Sequence, residues 1–294
     1  MAAALEGSTA IVTGAGRGIG RAEALLLASE GAAVVVNDAG FDLFSTDGGD
    51  GKTADAVAAE IRAAGGRAVA NHDDVTHWKN GKALVEAALD TFGGLDILVN
   101  NAGILRDRML VNMSEEEWDD VIGVHLKGHF VMLHHAAQYW RAQAKEGRRP
   151  EASVINTSST SGLIGNPGQA NYGAAKAGIA ALTLIAASEL GRYGVRVNAI
   201  APAARTRLTD ASPGLSEMLA PPEEEGRFDE WDPSNVAPLV AWLARPNCPA
   251  NGQMFSVRGG VIEPMNGWTL KSGISKNGRW TVAELDKALP AVLD

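Results

Sequence analysis

Thr9-Ala10-Ile11-Val12-Thr13-Gly14-Ala15-Gly16-Arg17-Gly18-Ile19-Gly20 is the stretch that decides the fold. Its first four residues are small or β-branched, which indicates a buried β-strand, and glycines crowd the turn that follows. From Arg21 to Gly31 the sequence has the pattern of a helix that a glycine ends. A strand, a glycine-rich turn and a helix in this order predict a site for a pyrophosphate, because the backbone amides and the partial positive charge at a helix N-terminus attract an anion.

Beyond this stretch, the alternation of short apolar runs and longer amphipathic segments continues. Strands are predicted at residues 33–37, 67–70, 97–100, 153–157, 196–200 and 254–257. Helices are predicted at residues 53–64, 77–92, 115–141, 171–193 and 236–244. Strands and helices that alternate at this spacing form right-handed βαβ units. The predicted fold class is therefore α/β, a doubly wound (Rossmann-type) parallel sheet with helices on both faces.

The composition and the charge exclude several classes of protein. Of the 294 residues, 46% are hydrophobic and 21% are charged, as in an ordinary globular domain and unlike a disordered chain or a coiled coil. The formal net charge of -9 argues against a nucleic-acid partner, which requires a concentrated positive surface. We expect no membrane partner, because no apolar run approaches the roughly 20 residues of a membrane span. Cys248 is the only cysteine, so no intrachain disulfide can form and a reducing, cytoplasmic location is expected.

The domain organisation is predicted to be simple. No linker rich in proline or serine divides the chain. We therefore predict one domain, residues 1–260, that holds both the nucleotide and the active site, and a C-terminal extension, residues 261–294, that packs on it. Residues 203–232 contain prolines, glycines and acidic side chains without a strong period, which predicts a mobile flap.

Two charged residues bear on the choice of nucleotide. Asp38 ends the second predicted strand, 18 residues after Gly20. A carboxylate at this position accepts hydrogen bonds from both hydroxyls of an adenosine ribose and repels a 2′-phosphate. Arg17, within the glycine turn, favours the opposite choice because it could pair with that phosphate. We give the carboxylate more weight and predict NAD rather than NADP.

The candidate chemical residues are a serine, a tyrosine and a lysine. Tyr172 and Lys176 are four residues apart on a predicted helix and therefore share one face, and Ser159 lies 13 residues before the tyrosine. A tyrosine with a pKa of about 10 is a poor base at neutral pH. A neighbouring ammonium group favours the phenolate and should lower the pKa of the tyrosine. The serine hydroxyl could then hold a substrate oxygen while a hydride leaves the carbinol carbon.

Paired histidines raise the question of a metal site. His125 and His129 are four residues apart on a predicted helix, a spacing that can bind zinc. No acidic residue has a position that would make it a third ligand. We therefore predict no metal and assign these side chains to packing or hydrogen bonding.

Together, these motifs resemble the short-chain dehydrogenase/reductase family, over about Leu5 to Gly260. The resemblance is carried by residues 13–20, Asn100-Asn101-Ala102-Gly103, Ser159, Tyr172-Gly173-Ala174-Ala175-Lys176, and Asn198 before Ala201-Pro202. It implies a sheet of about seven strands, the catalytic set Ser159, Tyr172 and Lys176, and a homodimer or homotetramer formed through the helices at 115–141 and 171–193. With the glycine turn, the expected cofactor-binding residues are Gly14, Arg17, Gly18, Ile19, Gly20, Asp38, Asp74, Val75, Asn101, Ala102, Gly103, Tyr172, Lys176 and Pro202.

A closer resemblance is to the (3R)-hydroxyacyl-CoA dehydrogenase unit of the multifunctional β-oxidation enzymes. It is carried by Val36-Asn37-Asp38 and the glycine-rich insert after it, residues 101–108, Val124-His125-Leu126 and residues 165–172. It implies an NAD-dependent oxidation of a secondary alcohol to a ketone. The expected partner is a small molecule, acyl-CoA or steroid-like, and best a (3R)-3-hydroxyacyl-CoA with a fatty or steroid side chain.

Other functions and two departures from the family pattern remain open. The other enzymes to consider are a 17β-hydroxysteroid dehydrogenase and a 3-oxoacyl-carrier-protein reductase, and a non-catalytic NAD-binding sensor or scaffold belongs to a different class. Members of the family often carry an asparagine that completes a proton relay with the lysine, where this chain has His125. The usual Pro-Gly after the sixth strand is Pro202-Ala203 here.

Overall fold

A computed structural model gives the structure of the protein over residues 3–41, 52–206, 219–222, 224 and 226–292. These residues form one sheet with the spatial order β3-β2-β1-β4-β5-β6-β7-β8. Its strands are β1 (Thr9–Thr13), β2 (Ala33–Asn37), β3 (Arg67–Asn71), β4 (Ile97–Asn100), β5 (Ser153–Thr157), β6 (Arg196–Pro202), β7 (Met254–Arg258) and β8 (Val261–Pro264). The first seven strands pair in parallel, and β8 pairs with β7 in the antiparallel direction.

The strands are buried on both faces, as their apolar composition predicts. Every residue of β1, β2, β4 and β5 is buried. A strand that helices cover on both sides needs no polar face, which explains continuous apolar runs such as Val34-Val35-Val36. The strand order reverses between β1 and β4, and a crevice for a ligand is expected at this point, beyond the carboxyl ends of the strands.

Helices cover both faces of the sheet. They are α1 (Gly18–Ser29), α2 (Lys52–Ala63), α3 (Trp78–Phe92), α4 (Glu115–Ile122), α5 (Gly128–Lys145), α6 (Ser161–Ile164), α7 (Ala170–Leu190), α8 (Ala237–Ala244) and α9 (Val282–Ala288). Residues of α1, α2 and α8 share one buried apolar cluster with the sheet. Residues of α3, α5 and α7 share a second cluster with it. The structure thus confirms the predicted doubly wound α/β fold.

Two features differ from the sequence-based prediction. The helix predicted at 115–141 is divided, because Gly123–Lys127 forms a π-helical turn between α4 and α5. Such turns are frequent at functional sites, and this one carries His125. The sheet also has one strand more than the expected seven, because Val261–Pro264 folds back along β7 as a hairpin.

The C-terminal segment is more exposed than the body of the domain. All four residues of β8 are exposed, and so are Trp268 and Leu270 further on. The division into residues 1–260 and an extension that packs on them stays a prediction. Residues 207–218, 223 and 225 of the predicted flap lie outside the described part of the chain.

One helix bears on the expectation of no membrane partner. By length and composition alone, Ala170–Tyr193 is the one helix among the described residues that could cross a membrane. The core helix of a folded domain passes the same test. This helix contains α7, which packs against β5 and β6 and places Lys176 in the interior.

Candidate active site

The predicted site residues meet in one cavity of about 500 Å³ at the carboxyl edge of the sheet. Its lining includes these predicted residues: Gly14, Arg17, Gly18, Ile19, Asp38, Asp74, Val75, Asn101, Ala102, Gly103, Ser159, Tyr172, Lys176 and Pro202. Gly20 is the one predicted residue that does not line it. A Cβ at Gly20 would overlap the carbonyl oxygen of Gly14, so this glycine allows α1 to pack closely beneath the turn.

The glycine turn is shaped by its backbone. Gly14 and Gly18 have φ of +63° and +54°, in the left-handed region that favours glycine. A Cβ at Gly14 would lie 2.7 Å from the Cα of Ala102. Asn101 holds the turn from the neighbouring strand, because its Nδ2 donates to the carbonyls of Thr13 and Gly14 at 3.1 Å. The turn leaves room for a phosphate beside the N-terminus of α1, and thus fits the pyrophosphate of a dinucleotide.

Asp38 has a structural contact that the sequence did not predict. Its Oδ2 accepts a hydrogen bond from the backbone N of Gly16 at 2.8 Å, and its Oδ1 accepts one from the N of Gly40 at 2.7 Å. The carboxylate therefore ties the end of β2 to the glycine turn. Each oxygen retains capacity for a ribose hydroxyl. Arg17 lines the same cavity and is exposed. The two residues that bear on the choice between NAD and NADP, Asp38 and Arg17, therefore both face this cavity.

The remaining cofactor-binding positions form the walls of the cavity. Asp74 is engaged by its neighbours: its Oδ1 accepts from the N of Thr76 and its Oδ2 from the Thr76 hydroxyl, both at 2.8 Å. Val75 is buried beside it. On the other wall, the hydroxyl of Thr13 accepts hydrogen bonds from the backbone N of Asn101 at 3.0 Å and of Ala102 at 3.2 Å. The turn after β4 is thereby held against β1.

Ser159 and Tyr172 line the cavity from two successive parts of the chain. Ser159 follows β5, and Tyr172 lies in the first turn of α7. The Ser159 hydroxyl accepts a hydrogen bond from the backbone N of Ser161 at 3.2 Å, which orients the serine side chain. Burial raises the pKa of Tyr172 above its usual value, and the hydrogen bond with Ser159 lowers it by a smaller amount. Both side chains line the cavity, where their two hydroxyl groups could hold one oxygen atom of a substrate.

The expected effect of Lys176 on Tyr172 is absent from the chain by itself. Lys176 is buried, and its Nζ donates to the carbonyl of Thr157 at 2.6 Å. Burial lowers the pKa of this lysine to about 7. Its Nζ lies 5.4 Å from the centre of the Tyr172 ring. In the isolated chain the pKa of Tyr172 is therefore raised and not lowered as expected, because burial is its largest cause and burial also lowers the pKa of the lysine.

His125, at the position of the usual asparagine, contacts both the loop after β4 and the ring of Tyr172. Its Nε2 lies 2.7 Å from the carbonyl oxygen of Ile104, and its ring meets the Tyr172 ring edge-on with centroids 5.2 Å apart. A Cβ at Gly103 would overlap the imidazole, so this turn requires glycine there. Burial and the charge of Lys176 hold the pKa of His125 well below its usual value, which keeps the ring neutral.

The histidine pair has the environment of packed side chains. His125 and His129 are both buried, and burial lowers the pKa of His129 to about 3. Within the described part of the chain, no group of three or more histidine, cysteine, aspartate or glutamate side chains could hold a metal ion.

A polar cluster beside the candidate catalytic residues was not predicted from the sequence. Gln169, which lines the cavity, bonds with Asp107, Ser161 and Asn166. Asp107 and Gln169 are 62 residues apart, so no local pattern joins them. The signal that could have found Gln169 is its position three residues before Tyr172, where one helical turn brings the side chain to the same end of α7.

Comparisons with known proteins agree with this geometry. A family model described as short chain dehydrogenase matches residues 8–218. The hydroxyacyl-CoA dehydrogenase ChsB1 of Mycobacterium tuberculosis is 47% identical over 289 residues, which are 97% of this chain and 88% of that protein. The peroxisomal multifunctional enzyme type 2 of Mus musculus is 45% identical over 257 residues, 87% of this chain but only 32% of that longer protein.

A solved structure extends the agreement to the fold. The crystal structure of a short chain dehydrogenase from Mycobacterium avium matches with a TM-score of 0.87 and 49% identity, over 99% of this chain and 95% of that one. The family model spans the glycine turn and Ser159, Tyr172 and Lys176, and the solved structure covers nearly the whole chain. The chain is an oxidoreductase that belongs to the short-chain dehydrogenase family, whose members use NAD or NADP.

Proposed function

We propose that this enzyme oxidises the hydroxyl of a (3R)-3-hydroxyacyl-CoA to a ketone with NAD as the oxidant. The observation that carries the proposal is that Ser159, Tyr172 and Lys176 line the same cavity as the glycine turn. The class of substrate comes from the relatives, one of which is named a hydroxyacyl-CoA dehydrogenase over nearly the full length of both chains.

Each catalytic residue has one task in this reaction. Ser159 holds the substrate oxygen, and Tyr172 as the phenolate takes the hydroxyl proton. NAD bound in this cavity would supply the hydride acceptor for the carbinol carbon. Lys176 holds the nicotinamide ribose and, as an ammonium group, favours the phenolate. Burial opposes this charge in the isolated chain, because it lowers the pKa of the lysine.

NAD rather than NADP follows from the position of Asp38. Its carboxylate ends β2 at the cavity and has acceptor capacity for ribose hydroxyls, whereas a 2′-phosphate would bring a second negative charge beside it. The glycine turn, with Gly14 and Gly18 in left-handed conformations, would hold the pyrophosphate. We also propose a cytoplasmic location, in keeping with the buried thiol of Cys248, which forms no disulfide.

The test is to follow reduced-nicotinamide absorbance with matched (3R)- and (3S)-hydroxyacyl-CoA esters of fatty and steroid side-chain type. Turnover of a (3R) ester with NAD and not of its (3S) isomer is the expected result, and the faster ester shows which acyl class the cavity prefers. If every thioester is inert while NAD binds, the proposal is wrong, and free hydroxysteroids and simple alcohols become the next candidates.

A homodimer or homotetramer is proposed from the surface of α5 and α7. Leu184 and Ile185 on α7 are 57% and 56% exposed, and Phe130 on α5 is 44% exposed. Phe130 and Ile185, together with Leu133 and Leu182, line a groove between the two helices. An exposed apolar patch of this kind marks a protein interface. Sedimentation at micromolar concentration should show an oligomer, and Ile185→Glu should shift it toward monomer; a monomeric wild-type protein would contradict this proposal.

A further inference from the structure

Gln169 stands at the substrate side of the cavity with its side chain held from three directions. It lies directly before α7, three residues from Tyr172, and lines the cavity with Ser159. Its partners come from different segments: Asp107 from the loop after β4, Ser161 from α6, and Asn166 from the loop between α6 and α7. A side chain tied to three segments is fixed before a ligand arrives.

The hydrogen bonds determine which way the amide faces. Its Oε1 accepts from the Ser161 hydroxyl at 2.9 Å and from Asn166 Nδ2 at 3.0 Å, which uses both lone pairs. Its Nε2 donates to Asp107 Oδ2 at 2.8 Å. A carboxylate only accepts, so the nitrogen and not the oxygen must face Asp107. One N–H of Gln169 then has no partner among the described residues.

Of the other three amide side chains that line the cavity in the described part of the chain, two have both hydrogens engaged and the third is exposed. Asn101 donates both of its side-chain hydrogens to the carbonyls of Thr13 and Gly14. Asn37 donates both of its hydrogens to the Asn71 side chain and the Asp73 carbonyl. Asn166 is exposed at the rim and donates to Gln169 itself. Gln169 therefore combines a fixed orientation, partial burial and one remaining donor.

The chemistry of a 3-hydroxyacyl thioester matches this donor. Ser159 and Tyr172 engage the oxygen on the carbinol carbon, and the thioester carbonyl carbon is two bonds further along the acyl chain. We propose that Gln169 donates its remaining N–H to this carbonyl oxygen and so selects thioesters over alcohols that lack the carbonyl. The inference rests on the proposed function and adds a specificity-determining residue to it.

The test compares two compounds that differ only at this carbonyl. One is the N-acetylcysteamine thioester of a (3R)-3-hydroxy acid, and the other is the thioether with a methylene in place of the carbonyl. Their kcat/KM ratio is measured for wild-type enzyme, for Gln169→Leu, and for Gln143→Leu on α5 as the matched control. The intrinsic reactivities of the two compounds cancel when the ratios of two variants are compared.

Gln169→Leu should lower the thioester-to-thioether ratio by about tenfold, the effect of one lost neutral hydrogen bond in a partly buried site. Gln143→Leu should keep the wild-type ratio. If Gln169 only supports the local structure, both compounds lose activity equally and the ratio stays within about twofold of the wild-type value, which overturns the inference.

A binding measurement separates this inference from the proposed function. Calorimetry gives the dissociation constants of the thioester and the thioether on wild-type and Gln169→Leu enzyme saturated with NADH, whether or not turnover occurs. The inference is supported if the wild-type enzyme binds the thioester more tightly than the thioether and Gln169→Leu removes this difference. This holds even if no oxidation is seen, a result that would overturn only the proposed function. Equal binding of both compounds to the wild-type enzyme overturns the inference. If the enzyme nevertheless oxidises either compound, it is still a working alcohol dehydrogenase.

Discussion

The two ends of the cavity are built in different ways. At the nucleotide end, the shape comes from the backbone: Gly14 and Gly18 have positive φ, and Asn101 binds main-chain carbonyls. At the substrate end, it comes from side chains that hydrogen-bond to one another, such as Asp107 with Gln169. A backbone turn needs particular residues at fixed local spacing, whereas a side-chain network needs only that the fold brings its members together. The two ends should therefore respond differently to mutation.

The largest effect is expected at the substrate end, from Tyr172→Phe. Removal of the phenolic hydroxyl eliminates the proton acceptor, so kcat should fall by about 10²- to 10⁴-fold. The dissociation constant for NAD, measured by fluorescence titration, should change little because the ring remains. Tyr193→Phe, just beyond α7, is the matched control. Turnover retained in Tyr172→Phe would remove this residue from its proposed role.

At the nucleotide end, Gly14→Ala should weaken NAD binding by at least about tenfold. An alanine there must adopt a strained positive φ, and its Cβ would overlap the Cα of Ala102. Calorimetric titration with NAD measures the effect. Gly65→Ala is the control, since Gly65 also has positive φ, +88°, but no atom lies within 4 Å of its Cβ position. Equal loss of NAD affinity in both variants would contradict the steric explanation.

A smaller change is expected from Asp38→Asn. Loss of the charge weakens the hydrogen bonds to the ribose and to the backbone N of Gly16, so the affinity for NAD should fall by about tenfold. The affinity for NADP should fall less or rise, because the repulsion of its 2′-phosphate is removed. Asp55→Asn, on the exposed face of α2, is the control. A ratio of NAD to NADP affinity that stays the same would show that Asp38 does not decide the cofactor.

The smallest effect is a shift in pH dependence from Asp107→Asn. The negative charge of Asp107 raises the pKa of Tyr172, so its removal should lower that pKa. The acid limb of the kcat/KM profile should then move to lower pH, by less than about one unit. The amide oxygen of the substituted side chain can still accept the hydrogen bond from Gln169. Asp90→Asn on α3 serves as the control, and an acid limb that moves upward would show that the charge acts in another way.

The same contrast explains what could be predicted before the structure. The glycine turn, Asp38 and the Tyr172–Lys176 pair were found because each depends on local spacing along a strand or a helix. Gln169 was not given a role, because its partners are identified only by the packing of α6, α7 and the loop after β4. The direction of the Tyr172 pKa was also missed, since burial is a property of the surroundings and not of the four-residue spacing.

Backbone details that depend on neighbours form a second group. The π-helical turn at Gly123–Lys127 interrupts a pattern that predicts one uninterrupted helix. It places the His125 ring between the Ile104 carbonyl and the Tyr172 ring. The eighth strand, Val261–Pro264, forms because β7 presents an edge with unpaired backbone groups, which a short exposed segment can satisfy.

The amino-acid sequence by itself determined the order of strands and helices, the glycine turn and the candidate catalytic side chains. Hydrophobic periodicity and backbone conformational preference are local properties, and a single chain displays them directly. Only the tertiary structure decided the neutral, clamped state of His125, the near-neutral pKa of Lys176 and the orientation of the Gln169 amide. These depend on desolvation and on partners from distant segments, which exist only once the sheet and its helices have packed.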